Sequence, residues 1–288
     1  MLLFVRNYYE LEAKQRSGVM SKGSQALRLP RAKGMDMVTF YSPKDCAKKA
    51  KFLILPKHNR TIIEEFLTVL GMREAFEEHG VPVPNKIVMY GPPGTGKTLT
   101  AFYMAKRLEL PLISIRLDAL IHSHLGETGS NIRKVFDYAE AQPCVLFIDE
   151  FDAIARTRES GDEVKEMARA VNTLLQALDD FGDRSVFMAA TNLEAELDRA
   201  IWRRFDTKIT YSLPDETARN EYIQLLVGDF ETEEKLGEAA CERLAGCSFA
   251  EVEQIVLKAK RKAIIQNCPL GHAHIELSYN EYQPAVRR

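Results

Sequence analysis

Gly91-Pro92-Pro93-Gly94-Thr95-Gly96-Lys97-Thr98 follows an apolar run, Lys86-Ile87-Val88-Met89-Tyr90, and precedes a helix-like stretch from Leu99 to Leu110. Strand, glycine-rich turn and helix in that order form a cradle for a nucleoside triphosphate. The glycines let backbone N–H groups close around the phosphates. Lys97 sets a positive charge against the β and γ oxygens, and the Thr98 hydroxyl offers a ligand to Mg²⁺. The helix that starts here turns its positive end toward the same anion. The expected nucleotide contacts run from Gly91 through Thr98 to Leu99.

A second segment, Val145-Leu146-Phe147-Ile148-Asp149-Glu150, is an apolar strand that ends in two carboxylates. An open parallel sheet binds its ligands at the carboxyl ends of its strands, so these acids arrive beside the phosphate loop. Asp149 is expected to hold Mg²⁺ through its water shell, and Glu150 to polarise the attacking water.

The chain has 288 residues, 45 % of them apolar, and a net charge of −2, so no global field draws it to nucleic acid or membrane. The charge is uneven. Residues 1–60 hold thirteen Lys or Arg against four acids, a basic head that suits either an anionic partner or a solvated face. The five cysteines are odd in number and lack a zinc-type pair, which fits reduced thiols in a cytoplasmic protein. Cys268, His272 and His274 supply three metal donors, one short of a structural zinc set. No apolar run reaches the length of about 18 residues that spans a bilayer, and no secretion signal is present.

From Thr61 the periodicity is helical. Five β-rich segments follow: Lys86–Tyr90, Pro111–Leu117, Cys144–Asp149, Ser185–Thr191 and Lys208–Leu213. Strands that alternate with helices of this length pair in parallel, in a sheet covered on both faces. After Pro214 only helical segments remain, Glu216–Val227, Glu233–Leu244 and Phe249–Gln266. The expectation is an α/β P-loop NTPase fold with a five-stranded parallel sheet at 61–213, a basic extension at 1–60 and an all-helical lid with a tail at 214–288.

Gly91–Thr98, Val145–Ile154, Ala189-Ala190-Thr191-Asn192 and Ile201-Trp202-Arg203-Arg204-Phe205-Asp206 occur in the order and spacing of the AAA family of ATPases, which the chain resembles over about residues 60–265. The resemblance implies ATP hydrolysis with Mg²⁺ in a ring of copies, hexameric in that family. It implies that Asn192 orients the hydrolytic water and that Arg204, with Arg203 in reserve, reaches into the neighbouring copy's ATP. An arginine supplied in trans suits the charge that builds on the γ-phosphoryl oxygens, and is worth roughly 10³–10⁵ in rate. Two positions depart from the family pattern. Thr207 stands where a second arginine is common, and Phe249-Ala250 where a Gly-Ala pair near the adenine is common.

In the unfoldases of that family, an aromatic-hydrophobic-glycine loop grips polypeptide in the pore. Here His124-Leu125-Gly126 takes its register, and an imidazole buries less apolar area than Tyr, Trp or Phe. A protein-remodelling motor acting on a protein substrate or adaptor, with any cleavage left to a separate protease, is the leading reading. The zinc-protease pattern H-E-x-x-H is absent. A nucleic-acid-directed ATPase, motivated by the basic head, and a nucleotide-gated scaffold are the alternatives.

Overall fold

The computed structural model describes residues 29–32, 35–117, 127–152, 161–193, 199–234 and 236–282. Strands β1 (Arg31–Ala32) and β2 (Met35–Asp36) pair with each other, and β3 (Val38–Tyr41) leads into α1 (Pro43–Lys49). Helices α2 (Lys57–Gly71) and α3 (Arg73–Glu78) precede β4 (Lys86–Tyr90) and α4 (Lys97–Leu108). Then come β5 (Leu112–Ile115), α5 (Thr128–Ala141), β6 (Val145–Ile148), α6 (Gly161–Asp179), β7 (Val186–Thr191), α7 (Arg199–Trp202) and β8 (Thr207–Thr210). Helices α8 (Glu216–Val227), α9 (Leu236–Arg243), α10 (Phe249–Gln266) and α11 (His272–Tyr282) follow.

The sheet order is β3-β5-β6-β7-β4-β8, parallel throughout except for the antiparallel β3–β5 edge. The five expected strands are β4 to β8, and β3 adds a sixth. Residues 38–41, expected in a separate basic extension, are thus part of the sheet. Cys46 and Ala50 of the same region pack in its core beside Ala101 and Ala105. Residues 1–28 lie outside the described residues.

The inner strands β6 and β7 are buried at every position because both sheet faces are covered there, whereas the edge strands β3 and β8 are partly exposed. Leu146 and Ile148 of β6 face one core with Phe136 of α5 and Leu174 of α6. Val145 and Phe147 face the other, with Met104 of α4 and Phe66 of α2. Helices α8 to α11 enclose a third core around Tyr222, Val252 and Val256. α10 starts at a capping box in which Ser248 and Glu251 satisfy each other's backbone N–H groups.

Strand β8 runs alongside β4, and Tyr211, the residue after it, donates its N–H to the Tyr90 carbonyl at 2.7 Å. Gly91, the first residue after β4, turns away at φ +136°. A Cβ there would overlap the Tyr211 carbonyl oxygen, so only glycine lets the two backbones approach this closely. Gly91→Ala should therefore cost about 2 kcal/mol or more in stability, measured by urea denaturation. An unchanged midpoint would contradict this packing.

Candidate nucleotide site

The loop from Gly91 to Gly96 joins β4 to α4, and three of its glycines hold positive φ: Gly91, Gly94 at +72° and Gly96 at +99°. Gly96 is the residue before α4, whose first N–H groups have no partner within the helix and open toward the loop. Thr95 Oγ1 donates to the Pro92 carbonyl at 2.8 Å and closes the turn. Lys97 Nζ donates to the carbonyls of Gly91 and Pro92, each at 2.7 Å. Burial pushes the Lys97 ammonium down to about 8, against the pull of Asp149 and Asp152, which raises it.

Asp149 is the first residue after β6, and its Oδ2 accepts the Thr98 hydroxyl at 2.6 Å. This all-oxygen pair at the mouth of the loop fits a hard divalent cation such as Mg²⁺, with Thr98 and Asp149 as its holders. Glu150 is exposed and sits at φ +51°, a left-handed conformation unusual outside glycine. Its N–H donates to Asp149 Oδ1 at 3.0 Å. Phe151, fully buried, donates its N–H to the Ala190 carbonyl of β7 and pins the turn from below.

Strand β7 runs between β4 and β6, so Asn192, exposed just past its end, emerges between the loop and Asp149. Thr191 donates to buried Asp152 at 2.9 Å and accepts from the Leu193 N–H at 3.1 Å, which fixes the backbone on either side of Asn192. The structure thus brings Lys97, Thr98, Asp149, Glu150 and Asn192 to one edge of the sheet.

Arg204 is elsewhere. It precedes β8, and Asp206 accepts from the N–H groups of Asn85 and Lys86 at the start of β4, each at 3.0 Å. Because β8 parallels β4, Arg204 lies at the opposite edge from Gly91, roughly 16 Å or more away at about 3.3 Å per residue. Its guanidinium donates twice to Asp179, at 2.9 and 2.8 Å, and once to the Ala200 carbonyl at 2.7 Å. Arg203 beside it is exposed.

Lid and loop touch directly. The Ala250 N–H donates to the Gly94 carbonyl at 3.2 Å, and a Cβ on Gly94 would stand 2.8 Å from Ser248 Oγ and 2.9 Å from Ala250 Cβ. A cavity of about 240 Å³ remains there, lined by Pro93, Gly94, Leu213 and Ser248 among others. Phe249 does not fill it. Its ring turns into the lid core against Tyr222, with centroids 5.0 Å apart.

The stretch His124-Leu125-Gly126 lies outside the described residues. Cys268, His272 and His274 do not form a metal set. His274 is buried, accepts from the Gly271 N–H at Nδ1 and meets Gln266 Oε1 at Nε2, so both ring nitrogens are engaged. All five cysteines are unpaired, four of them buried. No helix among the described residues is long and apolar enough to cross a membrane. The quoted motifs contain Phe151 and Phe205 but give neither a role, and nothing local in the sequence marks Asp179.

The family described as "ATPase family associated with various cellular activities (AAA)" matches residues 87–213. An uncharacterized AAA family ATPase, y4kL, of Sinorhizobium fredii is 41 % identical over 74 % of this chain and 67 % of its own length. The ATP-dependent zinc metalloprotease FtsH 2 of Symbiobacterium thermophilum is 32 % identical over 78 % of this chain and 39 % of its own length. The proteasome-activating nucleotidase of Methanopyrus kandleri is 35 % identical over 73 % of this chain and 50 % of its own length. The chain therefore spans two thirds of the first relative and half or less of the other two.

Lys97 generates a pH prediction. Its charged form attracts a triphosphate and is favoured by it, so binding takes up a proton wherever the free lysine is neutral. ATP affinity should weaken as pH rises from about 7.5 to about 9.5, approaching tenfold per unit above the lysine pKa. Calorimetry in buffers of different ionisation enthalpy should show the proton uptake. An affinity and a proton balance that stay flat across this range would contradict the buried setting of Lys97.

Proposed function

The chain belongs to the AAA family of ATPases, and on that footing we propose that it hydrolyses ATP with Mg²⁺ as a hexameric ring that remodels polypeptides. The observation that carries this reading is the convergence of Lys97, Thr98, Asp149, Glu150 and Asn192 on one sheet edge while Arg204 stands at the other. Loop N–H groups and Lys97 bind the triphosphate, and Thr98 and Asp149 hold the metal ion. Mg²⁺, when bound, neutralises charge on the β and γ oxygens. Glu150 takes a proton from the attacking water, and Asn192 orients that water. Arg204 cannot reach its own loop across the length of β8, which favours its use on the nucleotide of a neighbouring copy. Its bond to Asp179 must then be exchanged for, or shared with, the γ-phosphate.

Polypeptide remodelling is supported by relatives whose names describe a protease ATPase and a proteasome activator. The expected grip, His124-Leu125-Gly126, enters this proposal through its place between β5 and α5 in the sequence. A protein client or adaptor and a separate protease are the partners this reading names, in the cytoplasm.

Glu150→Gln should lower ATPase turnover by about 10²-fold or more while ATP binding is retained. Arg204→Ala should lower it by about 10³-fold or more. An equimolar mixture of the two inactive variants should regain activity, because each supplies the group that the other lacks. A mixture as inactive as its parts would sink the shared site. ATP-loaded Glu150→Gln should also retain a polypeptide client in pull-downs, and capture of nucleic acid alone would overturn the remodelling reading.

A further inference from the structure

Tyr211, the residue after β8, is 2 % exposed, and its side chain reaches α4. Its hydroxyl lies 2.6 Å from Oγ1 of Thr100, a fully buried residue at the end of the first turn of α4. Thr100 Oγ1 donates in turn to the Gly96 carbonyl at 3.0 Å, and the same carbonyl accepts the Thr100 N–H at 2.9 Å.

The direction of this chain of hydroxyls follows from its protons. Thr100 has one hydroxyl proton, so if that goes to Gly96 the Tyr211 hydroxyl must donate to Thr100. The reverse order ends on Met89 Sδ, 3.7 Å from the Tyr211 oxygen, and a thioether is a weak acceptor. Tyr211 to Thr100 to Gly96 places both protons on oxygen and is the favoured order. Burial pushes the Tyr211 phenol above its usual range, so it keeps the proton that it donates.

Gly91 opens the phosphate loop and Gly96 closes it, and Tyr211 holds both. Its backbone grips the first, through the bond to the Tyr90 carbonyl and an approach to Gly91 too close for any Cβ. Its side chain grips the second, through Thr100. The bonds of Thr95 to Pro92 and of Lys97 to Gly91 and Pro92 link the loop only to itself and to Lys97. Tyr211 instead ties both ends to one point at the sheet edge.

We propose that Tyr211 is a positioning residue of the nucleotide site, a clamp that fixes the separation of Gly91 and Gly96 and so holds the loop N–H groups at the spacing that a triphosphate requires. It touches no phosphate and acts through Thr100 and its own backbone. The proposal deepens the reading of this loop as the nucleotide site and rests on it. A loop held ready binds its anion without the cost of being ordered at that moment, so loosening the clamp weakens binding.

Titration of the full chain, in Mg²⁺, with a fluorescent non-hydrolysable ATP analogue tests the clamp. Tyr211→Phe removes one oxygen, keeps the ring, and should weaken binding about fivefold, the scale of one net hydrogen bond. Thr100→Val should weaken it alike, and the double variant should lie within about twofold of either single one, because the two hydroxyls act in series. Thr100→Ser should bind within about twofold of the parent, as it keeps the relay. A packing role predicts the opposite order, since valine keeps the buried volume of threonine and serine gives up a methyl group. Urea denaturation establishes that each variant is folded, and the two Thr100 variants carry the test alone if Tyr211→Phe is not. Unchanged affinity in Tyr211→Phe, additive losses, or a serine variant weaker than the valine one overturns the clamp and leaves the nucleotide site intact. A parent chain that fails to bind the analogue, or a Lys97→Ala variant that binds it equally well, removes the nucleotide reading and the clamp with it.

Discussion

The inner strands of a sheet buried on both faces admit no charge, and the layout of this protein follows from that constraint. All residues of β6 and β7 are buried, so a polar group can stand only where each strand runs out. Gly91, Asp149 and Asn192 are each the first residue past a strand end. With β7 lodged between β4 and β6, these ends are neighbours in space and the chemistry is gathered without any long loop. The same rule separates Arg204 from them, because the parallel run of β8 beside β4 puts its entry at the far edge.

Aromatic packing ties the two edges together. The rings of Phe151 and Phe205 lie 5.9 Å apart, edge to face, and Phe205 in turn meets Phe187 of β7, which stacks on Phe136 of α5. Each of the first two directly follows a charged group of interest, Glu150 or Arg204. Backbone strain at a left-handed non-glycine residue is of order 1–3 kcal/mol and persists only where its surroundings over-determine it. Burial of Phe151 and its bond to Ala190 do that for Glu150. The aromatic cluster is thus the common footing of the expected base and the expected finger.

The loop, the strand that ends in Asp149 and the helical lid were legible because their signals are local: glycines at fixed offsets, an unbroken apolar run, and a period that changes at Pro214. Strand β3 was not legible. Val38-Thr39-Phe40-Tyr41 sits among charged residues, and its partner, Leu112 to Ile115, is more than seventy positions away. Helix α11 also escaped, since its buried residues, His274, Ile275 and Ser278, are mixed in polarity and mark no clear apolar face. The bond between Arg204 and Asp179 joins residues that only the folded chain makes adjacent. Phe249 departs from the family pattern beside the adenine, yet its ring turns away from the loop and packs with Tyr222. Which way a side chain turns at a helix start depends on the core behind it, and that core is non-local.

The hydrogen bond from Ala250 to Gly94 makes the tilt of the lid and the shape of the loop a single mechanical coordinate. A ligand can bias a moving part only through unequal affinity for its positions. Here the loop carbonyl is itself part of the joint, so whatever reshapes the loop pulls on an eighteen-residue lever, about 27 Å long at 1.5 Å per residue. A few tenths of an ångström at the fulcrum become a displacement several times larger at the tip, where Ile264 and Ile265 face outward. Loop and lid are then geared through one peptide unit.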